Sequence, residues 1–105
     1  MTKTEHSALT EAVFYILLSL YKPMHGYGII QNIAELSNGR VNLGAGTLYG
    51  AINTLLEKGW IVPVETEEDS RKKVYEITDY GKEIVTVEME RLNELLINGR
   101  NTINQ

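Results

Sequence analysis

The stretch Gly46-Thr-Leu-Tyr-Gly-Ala-Ile-Asn-Thr-Leu-Leu-Glu-Lys-Gly-Trp60 decides the fold of this chain. Its large apolar residues recur at helical spacing, and they are Leu48, Ile52, Leu55 and Leu56. This spacing predicts a helix with one buried side. The other side lacks the Lys and Glu usual on a solvated helix and carries Gly46, Gly50, Asn53 and Thr54, with Thr47 at its edge. So bare a face lets a helix backbone approach the floor of a DNA groove.

Two helices are predicted before this stretch. The first runs from Ser7 to Tyr21 and stops before Pro23, because proline cannot continue a helix. The second opens at His25-Gly26. Its apolar residues form one core stripe, made of Ile29, Ile30, Ile33 and Leu36.

The segment between the second and third helices contains turn signals. Asn38-Gly39 supplies the left-handed conformations of a helix end or a turn. We expect Val41–Leu43 to form a short strand. Thr47 is expected to start or cap the third helix, and Lys58-Gly59 to end it.

A two-stranded hairpin follows the third helix. The residues Trp60–Val64 and Lys73–Ile77 read as strands, and the polar stretch Glu65–Arg71 between them reads as the turn. Because Pro63 cannot donate a hydrogen bond to an inner strand, we expect the first strand to have a free edge.

The last predicted element is a long helix. Thr78-Asp79 should cap it, and it should run to about Asn98, with Gly99 as its stop. Four of its apolar residues are spaced four, three and four apart, and they are Val85, Met89, Leu92 and Leu96. This spacing is typical of a helix that pairs with another helix.

The order of elements predicts the fold class. Three helices, a two-stranded wing and a long helix make a mainly α fold with a small β-wing, in which residues 25–58 form a helix-turn-helix and residues 60–77 the wing. We therefore expect a winged helix-turn-helix DNA-binding domain at residues 1–78 and a C-terminal dimerisation helix and tail at residues 79–105.

Surplus apolar surface at both ends of the chain predicts a homodimer. The first helix is apolar almost all round, and a helix of that kind is buried on two sides. A second copy of the chain would bury the second side of the first helix. The interface would consist of Phe14, Leu18, Val85, Met89, Leu92 and Leu96. The alternatives are that Phe14 and Tyr15 are simply exposed and that the last helix packs only within its own chain.

In a helix-turn-helix, the later of the two helices enters the major groove with its N-terminal residues near the base edges. In this chain that helix is the third predicted helix. The predicted DNA-binding residues are therefore Tyr27, Gly46, Thr47, Tyr49, Gly50, Asn53, Arg71, Lys72 and Lys73. Asn53 can read adenine through two hydrogen bonds. Tyr27 and Tyr49 suit phosphate contacts, but plain packing explains either tyrosine equally well.

The three wing cations, Arg71 to Lys73, are expected to contact phosphates or the minor groove. The competing interpretation is a solvated charge pair with the neighbouring acids Glu67, Glu68 or Asp69.

Composition limits the function further. The chain has 105 residues, 43% of them hydrophobic, which suits one domain with one core. It contains no cysteine, has no apolar run long enough to cross a membrane, and starts with a polar segment, which fits a cytoplasmic protein. A net charge of −4 argues against nonspecific DNA binding, but residues 41–64 contain only one acid, Glu57. A winged helix that serves as a protein-interaction module without DNA binding remains the alternative.

Enzymatic activity and metal binding are not expected. The only histidines are His6 and His25, and no Ser/His/acid constellation is recognisable. A metal sensor would need clustered His, Cys or carboxylate ligands. No cofactor is predicted.

Four motifs together resemble the PadR-like transcriptional regulators. They are Met24-His-Gly-Tyr-Gly-Ile29, Gly46-Thr-Leu-Tyr-Gly-Ala-Ile52, Leu55-Leu-Glu-Lys-Gly-Trp-Ile61 and Arg71-Lys-Lys-Val-Tyr-Glu-Ile-Thr-Asp-Tyr-Gly81. The chain departs from the family pattern at Gly50, where many members have proline, and at Gly28, where a helix-forming residue is common. The resemblance implies a dimeric winged-helix repressor of a palindromic operator, with one C-terminal dimerisation helix.

Some short members of this family bind flat aromatic compounds between the two subunits and then release DNA, but the ligand type does not carry over to this chain. The family's pocket tryptophan has no counterpart in the C-terminal helix, because the single tryptophan here is Trp60. The positions where such a ligand is expected are Phe14, Tyr15, Leu18, Met89, Asn93 and Leu96.

Overall fold

The computed structural model describes residues 8–65 and 73–105. In chain order the elements are α1 (Glu11–Ser19), β1 (Met24–His25), α2 (Gly26–Leu36), α3 (Ala45–Lys58), β2 (Ile61–Val64), β3 (Val74–Ile77) and α4 (Asp79–Ile103). The predicted fold class, mainly α with a small β-wing, is confirmed. The predicted wing turn after Glu65, including the acids Glu67, Glu68 and Asp69, lies outside the described residues.

The wing is part of a three-stranded antiparallel sheet in the order β1-β3-β2. Val64 of β2 pairs with Val74 of β3, and Pro63 with Tyr75. Because β3 is the middle strand, β2 lies at an edge, as Pro63 requires. The strand β1, which pairs Met24 with Tyr75, was not predicted. It ties the start of α2 to the wing.

One hydrophobic core joins all four helices and the sheet. Its fully buried members come from α1, α2 and α3 and from the N-terminal part of α4, and they include Ile16, Leu17, Ile29, Ile33, Leu48, Ile52, Leu55, Ile84 and Val85. The predicted buried side of α3 is therefore confirmed. Fully burying one such side chain contributes about 1.5–3 kcal/mol, so this core holds α3 firmly with its other side outward.

Several predicted boundaries are wrong. The first helix begins at Glu11, because the Thr10 hydroxyl caps it by accepting a hydrogen bond from the Val13 N–H at 3.1 Å. The third helix begins at Ala45, after Gly44, so Thr47 is not its cap. No strand forms at residues 41–43. Leu36, predicted for the core stripe, is 50% exposed.

The predicted cap of α4 is confirmed, and it also fixes α4 to the end of α3. The Thr78 hydroxyl accepts a hydrogen bond from the Gly81 N–H at 3.0 Å and donates one to the Gly59 carbonyl at 2.8 Å. A Cβ at Gly81 would collide with the Trp60 carbonyl oxygen and lie 2.7 Å from Ile77 Cγ1. The start of α4 therefore packs tightly on the α3–β2 junction.

The helix α4 continues through Gly99 to Ile103, so Gly99 is not its stop. No left-handed conformation occurs at Gly99, whereas Gly59 takes φ +76° at the end of α3. The C-terminal half of α4 leaves the core, since every residue from 92 to 105 is exposed. The result is an elongated molecule of 57 × 39 × 20 Å.

Candidate nucleic-acid interface

The outward side of α3 is as bare as the sequence suggests. Gly46, Thr47, Gly50 and Asn53 are exposed. A Cβ added at Gly46 or Gly50 would meet none of residues 8–65 and 73–105 within 4 Å. Neither glycine has a positive φ, so the fold itself gives no reason for a glycine at either position.

The polar side chains Asn53 and Thr54 on this side of α3 differ in whether they are available to a partner. Within the described part of the chain, the Asn53 amide makes no hydrogen bond. Thr54 instead donates from its hydroxyl to the Gly50 carbonyl at 3.3 Å, so its donor is occupied within α3. Asn53 is therefore the hydrogen-bonding side chain best placed to read a base.

Tyr49 combines packing and exposure. Its side chain is 45% exposed, yet the end of its ring lies directly over Gly26, the first residue of α2. A Cβ at Gly26 would come within 2.7 Å of Tyr49 Cζ and closer still to the hydroxyl oxygen. The sequence interpretation missed the packing of Tyr49 on Gly26, because only the tertiary structure reveals this contact.

The structure also describes two predicted phosphate-binding residues. Tyr27, in the first turn of α2, is 65% exposed. Lys73 is exposed just before β3. Arg71 and Lys72 lie outside the described residues.

The residues predicted for a dimer interface fall into three groups by exposure. Val85 is only 2% exposed and packs in the core of its own chain, so it is not available to an exposed seam. Met89, Leu92 and Leu96 are 54%, 42% and 51% exposed. Phe14 and Leu18 are half-buried on α1.

A groove of about 320 Å³ lies between α1 and α4. Its lining residues are Leu9, Thr10, Glu11, Phe14, Tyr15, Glu88 and Leu92. Of the positions expected to bind a ligand, it brings together Phe14 and Tyr15 but not Leu18, Met89, Asn93 or Leu96.

Two ion pairs border this groove, and neither was predicted. Glu88 is 2% exposed and accepts hydrogen bonds from the Arg91 Nε at 2.9 Å and from the Leu9 N–H at 3.3 Å. The hydrogen bond that Arg91 donates to Glu88 raises the pKa of Arg91. The second ion pair joins Arg40 to Glu11, which lines the groove, and the hydrogen bond from Arg40 lowers the pKa of Glu11. The i, i+3 spacing of Glu88 and Arg91 was the only sequence signal for either pair.

Within residues 8–65 and 73–105, no group of three or more His, Cys, Asp or Glu side chains is arranged to hold a metal ion. Over the same ranges, none of the helices has both the length and the apolar character needed to cross a membrane.

Comparison with known proteins identifies the family. Residues 13–87 match the model of the transcriptional regulator PadR-like family. The chain is also 36% identical over 73 residues to an uncharacterized 37.1 kDa protein from a transposon of Streptomyces fradiae. That match covers 70% of this chain but only 20% of the relative, so the chain spans about a fifth of its length.

Solved structures share the fold. A transcriptional regulator from Clostridium thermocellum is similar with a TM-score of 0.69 and 26% identity, over 85% of this chain and 90% of that one. A PadR family regulator from Eggerthella lenta matches with a TM-score of 0.68 and 24% identity, over 89% and 80% of the two chains. PadR of Bacillus subtilis, solved in complex with operator DNA, matches with a TM-score of 0.65 and 24% identity, over 75% of this chain and 46% of that one.

These similarities agree with the motifs quoted from the sequence and with the winged-helix architecture. The family and these solved structures are regulators of transcription, which confirms the prediction that the chain is not an enzyme. The chain belongs to the PadR-like family of transcriptional regulators.

Proposed function

We propose that the chain is a homodimeric repressor that binds a palindromic operator by inserting α3 of each copy into the major groove. The observation that carries this proposal is the side of α3 formed by Gly46, Gly50 and Asn53. Two glycines at which a Cβ would meet no described residue within 4 Å, next to an Asn53 amide that makes no hydrogen bond to any described residue, suit a surface completed by a partner.

The dimensions of DNA fit this surface. The major groove is about 12 Å wide and admits an α-helix. At Gly46 and Gly50 no Cβ holds the backbone away from the base edges. Asn53, one turn further along, can then pair with adenine through two hydrogen bonds, and the Thr47 methyl or hydroxyl can contact thymine or a phosphate.

Phosphate contacts would fix the position of α3 on the duplex. Tyr27 at the start of α2 and Lys73 just before β3 are exposed, and Arg71 and Lys72 directly precede Lys73 in the sequence. With no acid from residue 41 to 56, this face is less acidic than the net charge of −4 suggests. The acids of α4 lie on another element, and salt screens charges beyond about 8–10 Å.

Dimerisation through α4 explains its exposed apolar residues. Met89, Leu92 and Leu96 lie on the face of α4 that packs in the core at Val85, and they continue that face beyond the core. A second copy of α4, together with the partner's α1, would cover them. Two α3 helices could then contact half-sites about 34 Å apart, one turn of DNA.

Release by a small aromatic ligand is a further part of the proposal. The groove between α1 and α4 has aromatic walls at Phe14 and Tyr15 and an apolar one at Leu92. A flat ligand there would alter the packing of α1 on α4, and with it the distance between the two α3 helices. The Bacillus subtilis PadR complex with operator DNA supports the DNA-binding part of the proposal.

The test starts from selection of binding sites out of a random duplex library, followed by affinity measurements on the selected site and on unrelated DNA. We expect Asn53→Ala to weaken specific binding by about 1–3 kcal/mol, the value of one bidentate base contact, and to leave nonspecific binding unchanged. The matched control is Asn98→Ala, the same replacement at an exposed position of α4, which should bind as the wild type does.

Salt dependence separates this function from the alternative. A specific binder loses affinity steeply with salt, with a log–log slope near the number of contacted phosphates. Equal losses of Asn53→Ala on both DNAs would contradict its role as a base reader. If the library yields no sequence even at low salt, the protein-interaction module suggested by the acidic net charge is correct instead.

A further inference from the structure

Tyr49 of α3 contacts Gly26 of α2, and this contact is separate from the residues proposed to read the bases. The Tyr49 ring reaches from α3 to Gly26, the first residue of α2. A Cβ at Gly26 would lie 2.7 Å from Tyr49 Cζ and 3.3 Å from Leu48 Cδ2. Position 26 therefore has room for the ring only because it has no side chain.

The same ring lies near the wing. Tyr75 of β3 is 6% exposed, and its pKa is raised first by burial and then by the neighbouring Tyr49. Tyr75 also pairs with Met24 of β1, next to the start of α2. Tyr49 thus stands at the point where α2, α3 and the sheet meet, on the edge of the proposed DNA-binding surface.

We propose that Tyr49 is a positioning residue whose ring, resting on Gly26, sets the angle at which α3 projects from α2. The spacing and angle between two packed helices follow from the side chains at their contact. The ring is a rigid spacer, and Gly26 is the flat surface on which it rests. This inference rests on the proposed function, since the angle matters through the depth at which α3 enters the groove.

The proposal predicts that the ring matters for DNA binding and that the hydroxyl does not. Tyr49→Phe keeps the ring over Gly26, and it should bind the selected site within twofold of the wild type with an unchanged salt slope. Gly26→Ala forces the ring out of its place and should weaken binding at least tenfold. Tyr49→Ala should weaken binding to a similar extent, because the spacer is missing.

The double variant Gly26→Ala/Tyr49→Ala tests whether the two residues act through each other. Without the ring there is nothing to displace, so the double variant should bind no more weakly than Tyr49→Ala alone. The matched control is Gly99→Ala in α4, a glycine-to-alanine replacement whose added methyl would meet no described residue within 4 Å. Its affinity should stay close to that of the wild type.

Thermal unfolding of each variant shows whether it is folded, and if Gly26→Ala unfolds, Tyr49→Phe decides alone. A loss with Tyr49→Phe as large as with Tyr49→Ala, with the salt slope reduced by about one, would mean that the hydroxyl binds a phosphate. That result, or wild-type affinity of a folded Gly26→Ala, overturns the inference while the proposed function stands. If the wild-type chain selects no DNA, both are wrong.

Discussion

Replacing Gly50 by alanine should make the protein more stable and its DNA binding weaker. Gly50 lies inside α3, its φ is not positive, and a Cβ there would touch nothing within 4 Å in the described part of the chain. Glycine in a helix interior is about 0.8–1.0 kcal/mol less favourable than alanine. Because no described residue opposes this gain, the free energy of unfolding should rise by about 1 kcal/mol, which shifts Tm by about 4–8 °C for a domain of this size.

The effect on DNA binding should have the opposite sign. If α3 lies against the groove floor at Gly50, the added methyl group moves the backbone away from the bases. We expect a loss of about 1–3 kcal/mol on the selected site, comparable to one lost base contact, where each 1.4 kcal/mol is a tenfold change in Kd.

The assay pairs thermal unfolding at one fixed protein concentration with fluorescence anisotropy on labelled duplex. A fixed concentration is needed because dimerisation makes Tm depend on it. The control Asn98→Ala should gain up to about 0.7 kcal/mol of stability from helix propensity and keep its affinity for DNA. A Gly50→Ala protein that binds as tightly as the wild type would refute the close approach of α3, and one with a lower Tm would refute the open helical geometry at this position.

Three other variants test the remaining parts of the structure. Leu92→Asp places a charge on the exposed apolar face of α4 and should give monomers or unfolded protein, so an intact dimer in sedimentation would contradict the proposed interface. Gly81→Ala should lower the free energy of unfolding by roughly 1–3 kcal/mol in denaturant titration, because its methyl collides with the Trp60 carbonyl, and a gain would refute that tight contact. Arg40→Gln removes the hydrogen bond that lowers the pKa of Glu11, so NMR titration should find that pKa closer to its ordinary value of 4.5. The pKa of Glu11 is lower in the folded state than in the unfolded chain, so the ion pair stabilises the protein above pH 4.5. The stability difference between wild type and Arg40→Gln should vanish as the pH falls through the folded-state pKa of Glu11.

The sequence predicted best where a local pattern and the tertiary contacts demand the same structure. The buried side of α3 follows from the spacing of Leu48, Ile52 and Leu55, and the end of α3 from Gly59, which takes the left-handed conformation expected of it. Thr78 was identified as the cap of α4 because its hydroxyl satisfies an N–H within the next turn. Each of these signals acts over a few residues.

Most of the failures concern contacts between distant residues, whereas the one at Gly99 is local. Gly99 reads as a helix stop by its type, but α4 passes through it to Ile103. The two-residue strand β1 has no pattern of its own and exists only through its pairing with β3. Val85 has the same spacing as Met89 and Leu92, yet the core covers α4 at Val85 and ends before Met89.

The sequence by itself determined the order of helices and wing, the buried and bare sides of α3, and the family, because helical periodicity, caps and motifs are properties of neighbouring residues. Only the tertiary structure decided which apolar residues of α4 remain exposed, that Glu88 is buried beside Arg91, and that Tyr49 rests on Gly26. These outcomes depend on how α1, α2 and α4 pack around α3. Packing distances are set by many side chains at once, and no stretch of sequence specifies them alone.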